Sequence, residues 1–175
     1  MDGPAPRALR LAVERVDIRE ATPSEFALAG AVTVAAYEEF YAANLGSYAD
    51  RLRDVASRAK DAVLLVAVEG DTIVGTATCV PDETSSYAEG IIEGEAMIRM
   101  LSVAPSQKRR GIGRALSVAC IERARSEGKI RLVLHADRIQ EASQALYRSL
   151  GFHREPERDF RPDDETFLVC YVLDL

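Results

Sequence analysis

The chain has 175 residues, with 22 basic and 28 acidic side chains and a formal net charge of −6. At 47% hydrophobic residues and a mean hydropathy of −0.08, it has the make-up of one folded soluble domain. The acidic balance weighs against nucleic acid as main partner, and no apolar run approaches membrane-spanning length.

The opening "MDGPAPRALRLAVERV" is interrupted by Arg10, Glu14 and Arg15. It therefore reads as a flexible tail over residues 1–14 and not as a secretory leader, and the cytoplasm is the expected compartment. Cys79, Cys120 and Cys170 lie far apart in sequence, each in an apolar run and with no CxxC spacing. Buried, reduced thiols fit this pattern; a disulfide framework or a zinc site does not.

In chain order, "RVDIREA" (Arg15–Ala21) alternates as a half-buried strand does. Ser24 offers an N-cap for a helix to about Tyr41, and Asn44-Leu45-Gly46 breaks it. "SYADRLRDVASRAK" predicts a second helix over Ser47–Lys60, with Leu52, Val55 and Ala59 on one face. A hairpin follows: Val63–Glu69, a Gly70-Asp71 turn, then Ile73–Val80. "PDETSSYAEGIIEGE" (Pro81–Glu95) is an acidic, turn-rich loop. The strand Ala96–Val103 stops at Pro105, and a helix runs from the glycines beyond it to about Glu127, ended by Gly128. Then come a strand (Lys129–Ala136), a helix (Gln140–Leu150), a short strand near Phe152 and a last strand in "TFLVCYVLDL". Strands and helices alternating in this way define an α/β chain with a mixed sheet.

One stretch stands out. In "KRRGIGRAL", Lys108, Arg109 and Arg110 meet Gly111 and Gly113 at the start of a helix. A turn flanked by solvated cations is the simplest reading. The context supports another. N–H groups at a helix start are unpaired and carry positive partial charge, and glycines let a ligand approach the backbone. Strand, basic loop and helix together suit a pyrophosphate. A Walker loop is excluded, because no Gly-Lys-Ser/Thr ends the run, and the third glycine of a dinucleotide fingerprint is missing.

The whole block "RMLSVAPSQKRRGIGRAL" resembles the acetyl-CoA-binding motif of the Gcn5-related N-acetyltransferase (GNAT) family, with its Gln/Arg-x-x-Gly-x-Gly/Ala pattern at Lys108–Gly113. "ALYRSLGFHR" (Ala145–Arg154) resembles the family's tyrosine helix, and the C-terminal stretch resembles that of a bacterial subgroup. The resemblance implies a single α/β domain over residues 15–175. Its sheet would be mixed and mostly antiparallel, of about six to seven strands with about four helices and splayed central strands. It also implies acetyl-CoA as co-substrate and no metal. The pantetheine arm would pair with Leu101, Ser102 and Val103 as an added strand. The loop would bind through Lys108, Arg109, Arg110, Gly111, Ile112, Gly113 and Arg114. Gln140 stands where many members carry Asn. Lys108 replaces the usual Gln or Arg, and Met97 stands where the histone-acetylating branch has its catalytic Glu, so that base does not carry over.

Tyr147 is then the expected acid for the leaving thiolate; packing alone is the plainer role for a helical tyrosine. His135, twelve residues earlier at a strand end, is the expected base. Glu93, Glu95 and Tyr37 are rivals, and a hydrogen-bonded structural histidine is the simpler alternative. His153 reads as structural or surface. The first two helices, the loop Pro81–Glu95 and "REPERDFRPDDE" (Arg154–Glu165) should form the acceptor site, where Glu83, Glu89, Glu93 and Glu95 would suit a cationic amine. The expected activity is transfer of an acetyl group to a primary amine of a small molecule or peptide. A catalytically weak acyl-CoA-binding regulatory module is the alternative. No nucleic acid or membrane partner is expected. A homodimer, the acceptor's identity and the acyl length stay open.

Overall fold

The computed structural model describes residues 16–41 and 45–175. The tail expected over 1–14 lies outside them. The described residues form seven strands: β1 (Val16–Glu20), β2 (Val63–Glu69), β3 (Thr72–Val80), β4 (Glu95–Val103), β5 (Arg131–Asp137), β6 (His153–Arg154) and β7 (Leu168–Asp174). They form a sheet in the order β1-β2-β3-β4-β5-β7-β6. The β4–β5 ladder is parallel, while β1–β2, β5–β7 and β6–β7 are antiparallel, so the sheet is mixed as expected. The described helices are α1 (Phe26–Tyr41), α2 (Tyr48–Arg53), α3 (Val55–Arg58), α4 (Ile112–Ser126) and α5 (Glu141–Ser149), five where about four were expected.

The described chain divides into two units. One holds residues 16–78 and 100–119, the other 79–99 and 120–175. In the first, β1 pairs along β2 from Val16↔Glu69 to Glu20↔Leu65. Leu64, Val66, Val68 and Ile73 pack with Ala29 of α1 and Val55 of α3. Gly30 is where α1 meets α2, since a Cβ there would lie 2.4 Å from the Arg53 carbonyl oxygen.

Two local expectations are corrected here. The chain enters α1 through a 3-10 turn, Pro23–Glu25, capped at Thr22 instead of Ser24. The Glu25 carboxylate accepts from the Thr22 N–H at 2.8 Å and is gripped by both Nη atoms of Arg19, at 2.9 and 2.7 Å. The cap was misplaced because the capping-box glutamate, three residues after Thr22, outweighs the serine. The helix expected over Ser47–Lys60 is two helices. Asp54 leaves the helical region (φ −78°, ψ 71°), and its carboxylate accepts from the Ser57 N–H at 3.0 Å. A short acidic side chain thus competes with the helix backbone. The carbonyls freed at the end of α2 are not orphaned: buried Arg58 donates through Nη1 to Leu52 O (2.9 Å) and Arg51 O (3.2 Å).

In the second unit, β5 pairs with β7 along its whole length, Arg131↔Asp174 to Asp137↔Leu168. Leu132, Val133, Leu134 and Ala136 are all buried, as are Val169–Val172, so this part of the sheet is covered on both faces. The parallel ladder of β4 and β5 runs only from Glu95↔Arg131 to Ile98↔Leu134. Arg99 and His135 stand just past its end, which agrees with the splayed strands expected.

Candidate active site

The basic loop belongs to the first unit. β4 does not stay regular as it approaches the loop: Met100 has φ 52°. A left-handed residue without glycine's freedom costs about 1–2 kcal/mol, and it interrupts the pleat just before Leu101, Ser102 and Val103. Leu101 and Val103 are half-buried, whereas Ser102 is buried with its hydroxyl donating to the Met100 carbonyl at 3.2 Å. After the 3-10 turn Pro105–Gln107 come two more left-handed residues, Arg109 (φ 62°) and Gly111 (φ 80°). The Gly111 carbonyl accepts from the Ala115 N–H at 3.0 Å, so Gly111 caps α4. The N–H groups of Ile112 and Gly113 then stand at the helix start, where N–H groups as a rule precede the first intrahelical acceptor.

The cations do not all serve as a solvated patch. Arg110 grips Glu69 with two bonds, of 2.9 and 2.7 Å, and also contacts Gln107 Oε1. Lys108 pairs with Glu39 and lies over the Phe40 ring. Arg109 and Arg114 are exposed. Lys108 and Arg110, both expected to face phosphate, are thus tied to carboxylates and hold the loop's shape. Behind the loop α4 packs closely, because a Cβ on Gly75 would meet Ile112, Leu116 and the Ser102 carbonyl oxygen at 3.0 Å.

His135 belongs to the second unit, beside a cavity of about 390 Å³ lined by Glu89, Gly90, His135, Arg158 and Phe160. The loop Pro81–Glu95 and the segment Arg154–Glu165 therefore meet around His135. The Phe160 ring stands edge-on to the imidazole at 5.0 Å. His135 Nε2 lies 3.2 Å from the Arg158 carbonyl oxygen, which can only accept, so Nε2 carries the proton. Nδ1 keeps the lone pair and is buried, with no hydrogen-bond partner among the described residues. Burial pulls the pKa of His135 below its ordinary value, against a smaller upward push from the Arg158 carbonyl. The ring is neutral at pH 7.

Arg158 organises this region, a role that nothing in the sequence singled out. Its guanidinium takes both oxygens of Glu95, at 2.9 and 2.8 Å, and the Gly90 carbonyl at 2.7 Å. Glu95 also accepts from the Ile92 N–H at 3.1 Å. Burial opposes its ionisation, but Arg158, this N–H and Arg131 together hold its carboxyl below the usual range. Glu95, a rival base by sequence, is committed to these partners. Glu93 is exposed on the turn before β4. Glu89 is the carboxylate that lines the cavity; Arg99 approaches it at 3.4 Å and donates to the Tyr87 carbonyl. The acidity of the loop was legible, but not which of its glutamates would face the cavity.

Tyr147 is not among the cavity's lining residues. It is 7% exposed on α5, against Phe152 (5.8 Å) and Tyr171 (6.4 Å). Burial pushes its pKa well up, so it stays protonated across the physiological range. Gln140 precedes α5, its N–H donating to Asp137 O at 2.9 Å and its carbonyl accepting from Gln144 at 3.2 Å. Tyr37, the remaining rival base, stacks on Tyr41 and lies tilted against Tyr48 in the first unit. His153 is exposed on β6. Among the described residues there is no cluster of three or more metal-ligating side chains, and no helix is long and apolar enough to cross a membrane.

The sheet is mixed, and in the first unit a kinked strand leads through a basic glycine loop into a helix. Residues 31–152 match the model of the acetyltransferase (GNAT) family, and the chain belongs to that family. The mycothiol acetyltransferase of Thermobispora bispora is 30% identical over 129 residues, 67% of this chain and 43% of that protein. The chain spans less than half the length of the curated relatives it matches. The crystal structure of the ribosomal-protein-alanine N-acetyltransferase of Brucella melitensis is 26% identical, with a TM-score of 0.70 over 91% of this chain and 99% of that one. The PaiA N-acetyltransferase of Thermoplasma acidophilum, solved with coenzyme A, shares the fold at 17% identity and a TM-score of 0.66, over 89% and 97% of the two chains.

Proposed function

We propose that this chain transfers an acetyl group from acetyl-CoA to a primary amine of a small molecule or peptide by direct attack. The observation that carries the reading is the start of α4. The first N–H groups of this helix follow two left-handed residues, and Arg110 and Lys108 lock the loop by pairing with Glu69 and Glu39. Such a rigid, donor-rich turn suits a pyrophosphate. Leu101–Val103, just past the kink at Met100, would hold the pantetheine arm by strand addition. Arg109 and Arg114 are the cations exposed for phosphate contact, and Gln140 would contribute beside α5.

The reaction needs a neutral amine, a stabilised oxyanion and a proton for the departing sulfur. The amine nitrogen attacks the thioester carbon, the C–S bond breaks, and Tyr147, kept protonated by burial, supplies the thiol proton. The neutral imidazole of His135 and the Glu89 carboxylate, which line one cavity of the second unit, are the candidate acceptors for the ammonium proton. The alternative of a catalytically weak acyl-CoA-binding module draws support from one observation: Nε2 of His135 is tied to a carbonyl and Nδ1 is buried. Incubating the protein with acetyl-CoA and a panel of amines, peptides with free N-termini included, and following thiol release tests both. Amine-dependent release supports the enzyme. Micromolar acetyl-CoA binding without release from any amine supports the module.

A further inference from the structure

The described cysteines are not dispersed in space as they are in sequence. Cys79, near the end of β3, and Cys120, in the third turn of α4, lie with their sulfurs 3.0 Å apart, 41 residues separating them along the chain. Both are buried, Cys120 more completely (1% exposed, against 9% for Cys79), and both are free thiols. An S–S bond is about 2.0 Å long, so small side-chain rotations would bring the sulfurs to bonding distance. We propose that Cys79 and Cys120 form a thiol/disulfide pair that converts within the native fold.

The difference in exposure sets the order of events. Cys79, the more exposed residue of the two, attacks a low-molecular-weight disulfide of the glutathione kind, forming a mixed disulfide and releasing one thiol. Cys120 then displaces the second thiol and closes the intramolecular bond. Two protein thiols are oxidised, one small disulfide is reduced to two small thiols, and both protons leave with them. In the reduced pair the contact with Cys79 and burial push the Cys120 thiol up, so Cys79 is the better placed to begin, and burial of both residues shields the closed bond from reductant. Cys170, buried on β7, serves as an internal control.

The test is equilibration of the native protein in a glutathione redox buffer, followed by acid trapping, alkylation and peptide mapping. The expected result is a fall from three alkylatable thiols to one, with the Cys79 and Cys120 peptides joined and Cys170 alkylated. The oxidised protein should melt at higher temperature, and dithiothreitol should reverse the shift. Cys170→Ser should retain the bond, and Cys120→Ser should lose it. Three thiols remaining after equilibration would overturn the proposal, as would a bond to Cys170, a bond formed only on refolding from denaturant, or a lowered melting temperature.

Discussion

Arg158 and Glu95 form a two-point ion pair, with N–O distances of 2.9 and 2.8 Å, in which the carboxylate is 1% exposed. The same guanidinium holds Gly90 O, and the Arg158 carbonyl accepts from His135. One residue therefore fixes the acidic loop, the start of β4 and the histidine tautomer. Arg158→Ala should cost about 3 kcal/mol or more, because it strands a buried charge. Combining it with Glu95→Leu should recover part of that loss. Urea titrations of the two single variants and the double variant check this; a loss below about 1 kcal/mol would mean that solvent already screens the pair.

Gly113→Glu should weaken acetyl-CoA by about tenfold or more, or about 1.4 kcal/mol. The substitution puts a bulky anion at the first turn of α4, where phosphate is expected. Calorimetry reads the change directly, and unchanged affinity would remove the loop from the proposed site.

Tyr147→Phe keeps the ring against Phe152 and Tyr171 and removes the hydroxyl. Turnover should fall by about 10²–10⁴, as for loss of a general acid, while acetyl-CoA affinity hardly changes. Wild-type turnover in the variant would leave Tyr147 a packing residue.

His135 links stability to pH. Its folded pKa lies below the unfolded value of 6.5, so the unfolded chain takes up the proton first. The stability due to the neutral ring is complete above pH 6.5 and is lost as pH falls through the folded pKa. His135→Gln lacks this component. The stability advantage of wild type over the variant should therefore shrink from pH 7.5 towards pH 5. A constant difference would show that the ring titrates alike in both states.

Gly30→Ala tests the helix crossing in the first unit. A Cβ 2.4 Å from a backbone carbonyl oxygen forces α1 away from α2, and overpacking of this kind costs about 1–3 kcal/mol. Thermal unfolding should show the loss, and a melting temperature equal to wild type would mean that the helices part freely.

The sequence carried the strands and the long helices, because their periodicity is set by residues within the element itself. It carried the loop and the tyrosine helix through their resemblance to a family pattern. What it did not carry depends on partners distant in the chain. Arg158 acquires its role only when Glu95, Gly90 and His135 converge on it. Lys108 and Arg110 pair with Glu39 and Glu69, carboxylates tens of residues earlier that nothing near the loop announces. Met100 gave no warning of a left-handed backbone, since methionine has no preference for one. The split at Asp54 was a local contest between side chain and backbone, and helical spacing of apolar residues does not register it.

The internal pairing of Lys108 and Arg110 has a consequence for the kind of anion the loop can select. With those two charges cancelled at contact distance, the field that reaches out to the Debye length of about 8 Å at physiological salt comes from exposed Arg109 and Arg114. The N–H dipoles add attraction that acts only at close range. A diffuse polyanion gains less from such a surface than from four unpaired cations, whereas a compact diphosphate gains when it fits. Selection there should follow shape as well as charge, and affinity should fall with ionic strength less steeply than the four basic residues of the loop would suggest.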